Sequence, residues 1–129
     1  MVKEMDEKIK TMIKWLENEV KGKRWTEYFA SYGYKKIAVY GAGELGKMLM
    51  WSLKDSGIAI NCVIDCRAHE LIEHESYSVY TLDEFLSSNI ETDAIVVTAI
   101  SAYDDVLKCV VKKNKDIPIL FLRDMVYEL

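Results

Sequence analysis

Gly41, Ala42, Gly43, Glu44, Leu45 and Gly46 carry the spacing GxGxxG inside the stretch KKIAVYGAGELGKMLM. The chemistry served by that spacing is capture of a phosphate. Gly41 permits a tight turn, Gly43 lets an anion approach the backbone, and Gly46 lets a helix pack close to a strand. The unpaired N–H groups and dipole of the helix that follows favour negative charge at its N-terminus. Glu44 falls in that first turn, where it complements the dipole, and it is expected to face solvent rather than the cradle. Asp65 stands nineteen residues after Gly46, where a carboxylate can accept from a ribose hydroxyl and disfavour a 2′-phosphate. Arg67, two residues on, argues the other way, because a guanidinium would accept such a phosphate. Thr98 and Ser101 follow a later apolar run and could hydrogen-bond a ligand, although Ser101 equally suits a helix cap. Tyr103 could stack on a base or cover the crevice.

A glycine motif has meaning only in context, and the context here is strand before and helix after. From Lys36 onward, short β-branched runs alternate with helical patterns. Strands are expected at 37–40, 58–64, 78–80, 94–99 and 117–122, the run 58–64 being buried on both faces. Helices are expected at 45–54 and 101–113, with Ser101 capping the latter. Thr81-Leu-Asp-Glu84 is a capping box opening a short helix through Leu86. The stretch 67–77 is expected to be polar and irregular. Alternation of this kind predicts an α/β domain with a doubly wound parallel sheet, Rossmann-like, in the strand order 3-2-1-4-5.

Before this domain, Met5, Ile9, Met12, Ile13, Leu16 and Val20 recur at steps of three and four, which predicts an amphipathic helix of about five turns. Gly22 ends it, and the segment 25–34 reads as a short helix or aromatic connector. Residues 1–33 are thus an N-terminal helical segment and 34–129 the nucleotide-binding domain. The apolar stripe is expected to pack on that domain. The competing reading, a subunit contact, draws on the apolar surface of Met12, Trp15 and Trp25.

With 129 residues the chain has room for one core. Its net charge of −4 argues against nucleic acid or an anionic membrane as partner. The N-terminus, MVKEMDEKIK, has no apolar stretch of signal-peptide type, and no apolar run is long enough to span a bilayer. Three cysteines without metal-pair spacing fit reduced thiols in the cytoplasm. His69 and His74 are five apart, which sends them to diverging sides of a helix rather than to a shared zinc. The residues four after Tyr77 and Tyr103 are Thr81 and Leu107, so neither makes a Tyr-x-x-x-Lys pair of the short-chain reductase type, and the strand ends assemble no Ser-His-acid arrangement; the chain is not expected to transfer hydride or hydrolyse alone.

From Tyr34 on, the text GYKKIAVYGAGELGKMLMWSL, VIDCR, VYTLDEFL and DAIVVTA resembles the small Rossmann-like domains of bacterial surface-polysaccharide enzymes. These domains precede the catalytic part of capsule-type nucleotide-sugar dehydratases and of nucleotide-sugar acetyltransferases. Looser similarity runs to CoA-binding domains and to NAD-sensing subunits of potassium uptake systems. The resemblance implies phosphate contact at Gly41, Gly43 and Gly46, ribose or sugar contact near Asp65, and a contribution from Thr98. The ligand it implies is NAD(P) or a UDP-type nucleotide sugar, with CoA a third pyrophosphate of the same kind. It does not extend to a catalytic domain or a left-handed helical repeat, and it leaves out the segment before Gly33. The leading expectation is therefore a binding module of polysaccharide assembly, without activity alone. The alternatives are a fragment of an NAD(P)-linked oxidoreductase and a non-binding adaptor assembled through its first helix, as a homo-oligomer or on a partner catalytic domain. The closing RDMVYEL reads as the start of a helix, compatible with excision from a longer chain.

Overall fold

Alternate residues of the same strands turn to opposite faces, and that period of two divides the core. The computed structural model describes residues 2–113 and 115–129. Ile37, Val39, Val63 and Val96 project to one face of the sheet, into a core shared with Phe29, Leu49, Leu122 and Met125. Ala38, Cys62, Ile64, Ile95 and Val97 project to the other, against Phe85, Leu86, Val106 and Val110.

The elements run α1 (Val2–Val20), α2 (Trp25–Tyr32), β1 (Lys36–Tyr40), α3 (Glu44–Ser52), β2 (Ala59–Ile64), α4 (Ala68–Leu71), β3 (Glu73–His74), β4 (Tyr77–Tyr80), α5 (Leu82–Leu86), β5 (Ala94–Val97), α6 (Tyr103–Lys112), β6 (Ile119–Phe121) and α7 (Leu122–Glu128). Six strands form one sheet in the order β3-β4-β2-β1-β5-β6. All neighbours are parallel except β3 and β4. The first face is covered by α1, α2, α3 and α7, the second by α5 and α6. This is a mixed α/β fold built on a mostly parallel sheet.

The capping box forms as its residues dictate. The Glu84 amide donates to Thr81 Oγ1 at 3.2 Å, and the Thr81 amide donates to Glu84 Oε1 at 2.8 Å. Pro118 lies just ahead of β6, the edge strand, where a missing N–H costs the ladder little.

Several expectations need correction. The stretch 67–77 is ordered: α4 leads into a hairpin of β3 and β4 whose tight turn, Glu75-Ser76, has φ of 51° and 72°. Left-handed turns of that kind are normally announced by Asn or Gly, and neither is present. Ser101 caps nothing, since α6 begins at Tyr103 with Ala102 as its N-cap and no side-chain acceptor. The run 58–64 is not buried throughout, because Ala59 and Asn61 are exposed and only Cys62, Val63 and Ile64 are covered. The neighbouring β4 pairs only with Val63 and Ile64, which leaves the first half of β2 with one partner strand.

The largest correction concerns α1. Its inward face is Thr11, Trp15 and Asn18, all buried. The Asn18 amide donates to the Val126 carbonyl at 2.8 Å, and Arg123 pairs with Glu7 at 3.1 Å, so the helix seats on α7 partly through polar groups. Trp15 packs edge-on against Trp25, and Trp25 edge-on against Tyr28. The predicted apolar stripe does not face the domain. It lies outward, with exposures from 46% at Ile9 to 81% at Val20.

Candidate functional site

The motif residues sit where β1 ends and α3 begins. The Gly41 amide donates to the Ile64 carbonyl at 2.8 Å, which ties the turn to the end of β2. Gly41 has φ of 118°, a region that L side chains rarely enter. A Cβ there would also stand 2.5 Å from Thr98 Oγ1. A Cβ on Gly46 would run into the Gly41 carbonyl oxygen and stand 3.2 Å from the same hydroxyl. These two glycines are required by the fold itself: they let the first turn of α3 and the side chain of Thr98 close on one point.

Gly43 differs from both. Its φ of −114° suits any residue, and a Cβ there would meet nothing within 4 Å. It is the N-cap of α3, yet no side chain caps the helix. The first-turn N–H groups that lack intrahelical acceptors therefore open toward a cavity of about 370 Å³. The Glu44 side chain is exposed and pairs with Lys47 at 3.4 Å, while the residue itself borders the cavity.

Asp65 follows β2 and is buried. Its Oδ2 accepts from the Ala42 amide at 2.8 Å and from Arg67 Nη2 at 3.2 Å. Its Oδ1 accepts from the Arg67 amide at 2.9 Å and from Arg67 Nε at 3.0 Å. Burial alone would raise its pKa. The Arg67 guanidinium and the amides of Ala42 and Arg67 outweigh that and hold the carboxyl at about 2. Four donors fill the acceptor sites of a carboxylate, so Asp65 braces the glycine turn in this structure. A ribose hydroxyl would reach it by displacing Arg67, whose side chain is half exposed and extends toward the Ala42 carbonyl.

Thr98, at the end of β5, is also buried. Its hydroxyl donates to the Tyr40 carbonyl at 2.9 Å, alongside its own amide at 2.9 Å. It is the shape that both fold-required glycines make room for. Thr98→Val keeps that volume and deletes the hydroxyl, and is expected to lower stability by about 1 kcal/mol, read as a drop of a few degrees in thermal melting. An unchanged melt would show that the hydroxyl contributes nothing to the turn.

The structure thus brings Gly41 through Gly46, Asp65, Arg67 and Thr98 to one cleft, beyond the carboxyl ends of β1, β2 and β5. Ser101 does not line it, nor does Tyr103, which stacks on Phe121 with centroids 4.9 Å apart. Ala99, beside Thr98 at the end of the strand, lines the cleft as well, and sequence reasoning missed Ile100. It also missed Glu4, Met5 and Lys8 of α1, which form a wall of the cleft. No local signal could have found those three, because the docking of α1 brings them there from the far end of the chain. Lys8 adds an ammonium to the rim.

Among the described residues no cluster of three metal-ligating side chains occurs, and no helix is long and apolar enough to cross a membrane. No protein-family model matches the chain, and no curated protein matches it either.

Proposed function

We propose that the chain is a nucleotide-binding module that seats a pyrophosphate on the turn Gly41–Gly46 and has no catalytic activity alone. The observation that supports this most is Gly43. Nothing in the protein needs a glycine at that position, and the space its missing side chain leaves opens on an uncapped helix N-terminus. A ligand approaching the backbone is the remaining reason for it.

The sheet supports the same reading. With β3 set aside as a hairpin appendage, the parallel order β4-β2-β1-β5-β6 supports the doubly wound, Rossmann-like reading 3-2-1-4-5. Successive crossovers then leave β1 in opposite directions, and the cleft lies at that switch point, where open α/β sheets bind ligands. Lys8 and Arg67 stand ready for phosphate oxygens, and Arg67 is the group that a 2′-phosphate or a sugar would meet first. The ligand class is NAD(P) or a UDP-type nucleotide sugar. The resemblance to polysaccharide-enzyme domains supports a place for this module in cytoplasmic nucleotide-sugar chemistry, beside a separate catalytic unit.

The test is a thermal-shift panel with NAD, NADH, NADP, UDP, UDP-N-acetylglucosamine and CoA. A ligand at about 100 times its dissociation constant stabilises the fold by about 2.7 kcal/mol, a melting rise on the order of 10 °C at this size. Gly43→Val is expected to abolish that rise. Because its side chain enters open space, its own melting is expected to fall by no more than about 1 kcal/mol, the usual scale for an N-cap change. No rise with any compound would overturn the proposal.

A further inference from the structure

We infer that the outward stripe of α1 pairs with the same helix of a second copy, antiparallel, about a two-fold axis near Ile13. An amphipathic helix ordinarily turns its apolar side to its own domain. Here the docked side carries Thr11 and Asn18, while Met5, Ile9, Met12, Ile13, Leu16 and Val20 are exposed roughly 150° away round the helix, at 3.6 residues per turn. The stripe does not end at α1. Met5, Ile9, Met12 and Leu16 continue across an apolar groove of about 640 Å³ to Leu45 and Met48 of α3. An apolar surface of this extent, rimmed by charge, marks an interaction site.

The charges along its rims select the occupant. Lys8 and Glu19 border the groove on one flank. Asp6, Lys10 and Glu17 fall on the opposite flank at about 100° per residue. Two antiparallel copies crossing between Ile13 and Lys14 bring like flanks together with reversed direction. Lys8 then stands opposite Glu19 of the second copy, and Lys10 opposite Glu17. In that register the apolar residues of the two helices interleave. A parallel pair instead sets unlike flanks at equal height, where Lys8 falls midway between Asp6 and Lys10 and gains no matched partner, while Glu17 meets Glu19. On the chain's own surface, Glu17 is paired with half-buried Lys14 at 3.8 Å and Glu19 with exposed Arg24 at 3.1 Å, while Lys8 and Lys10 have no ion-pair partner among the described residues. An isologous contact of this type closes on itself as a dimer. The groove and the glycine cleft share Met5, Lys8, Glu44 and Leu45, so the second copy would border the rim of the cleft.

Sedimentation of the full chain, which has a mass of 14.9 kDa, tests the pairing. The expected result is a dimer that Leu16→Glu converts to monomer, with circular dichroism and melting of the monomer showing the fold intact. Lys8→Glu is expected to weaken the dimer about tenfold through two symmetric contacts, and adding Glu19→Lys to restore it. In a Cys66→Ser background, Ile13→Cys should form an intermolecular disulfide under mild oxidation. Met5→Cys should not, because antiparallel pairing places its two copies about 25 Å apart at 1.5 Å per residue. A monomer at concentrations up to about 100 μM, or a dimer indifferent to Leu16→Glu, would overturn the inference. Ready cross-linking through Met5→Cys would overturn the antiparallel arrangement, and a stripe covered only by another protein would give the monomer result.

Discussion

Gly46→Val is expected to lower the folding free energy by about 3 kcal/mol or more and the melting temperature by about 10 °C or more. The first added carbon falls on the Gly41 carbonyl oxygen, which is backbone and cannot rotate aside. The next obstacle, Thr98 Oγ1, is held on the Tyr40 carbonyl. Relief requires α3 to move off the sheet, and its inward residues Leu45 and Leu49 sit in the main core. A fully buried leucine contributes on the order of 2 kcal/mol, so even partial withdrawal adds to the loss. The control is Gly43→Val, which carries the same side chain three residues earlier into open space. Paired melts of the two variants decide the matter. If Gly46→Val melts with the wild type, the close approach of α3 to the turn is wrong. If both variants collapse, Gly43 has a structural role that its surroundings do not explain.

Asp65→Asn is expected to cost about 2–3 kcal/mol at neutral pH. An asparagine in that place offers one oxygen where the carboxylate offers two, and its NH₂ group would face either the Ala42 amide or Arg67, donor against donor. The same site sets a pH dependence whose direction follows from the pKa. The folded carboxyl titrates at about 2, below the ordinary 3.8. Its stabilisation is therefore complete above about pH 4 and is lost as pH falls through about 2. The amount is about 2 kcal/mol, since Asp65 is buried but its Arg67 partner is half exposed to solvent. Urea denaturation repeated between about pH 5 and pH 2 should show wild type and variant converging as the solution becomes acid. Glu84 and Asp93, also held low chiefly by backbone amides, contribute to both proteins and cancel in the difference. A constant gap across that range would mean that the Asp65 charge does not support the turn.

The parts of the protein legible in one dimension were those governed by neighbours along the chain. GAGELG after a β-branched run specifies a turn and a helix start, because φ at Gly41 and the approach of Gly46 to the Gly41 carbonyl are local demands. Thr81 and Glu84 close their capping box across three residues, so that helix start was equally readable. The Glu75-Ser76 turn was not, because its conformation runs against the preferences of its residues and is held by the pairing of β3 with β4. Asp65 was singled out as a candidate from its spacing alone. Its commitment to Ala42 and Arg67 emerges only once β2 ends beside the glycine turn.

The first helix separates the two kinds of information most sharply. Periodicity established that α1 is a helix and which of its sides is apolar. It could not say which side meets the domain, since that depends on what α7 and α2 offer across the gap: the Val126 carbonyl for Asn18, Arg123 for Glu7 and Trp25 for Trp15. Burial is a property of pairs of surfaces, and here much of the second surface, α7, lies about a hundred residues away in the chain. For the same reason Lys8 reaches the cleft at the glycine turn and the apolar stripe is left facing outward, neither of which any spacing within α1 encodes.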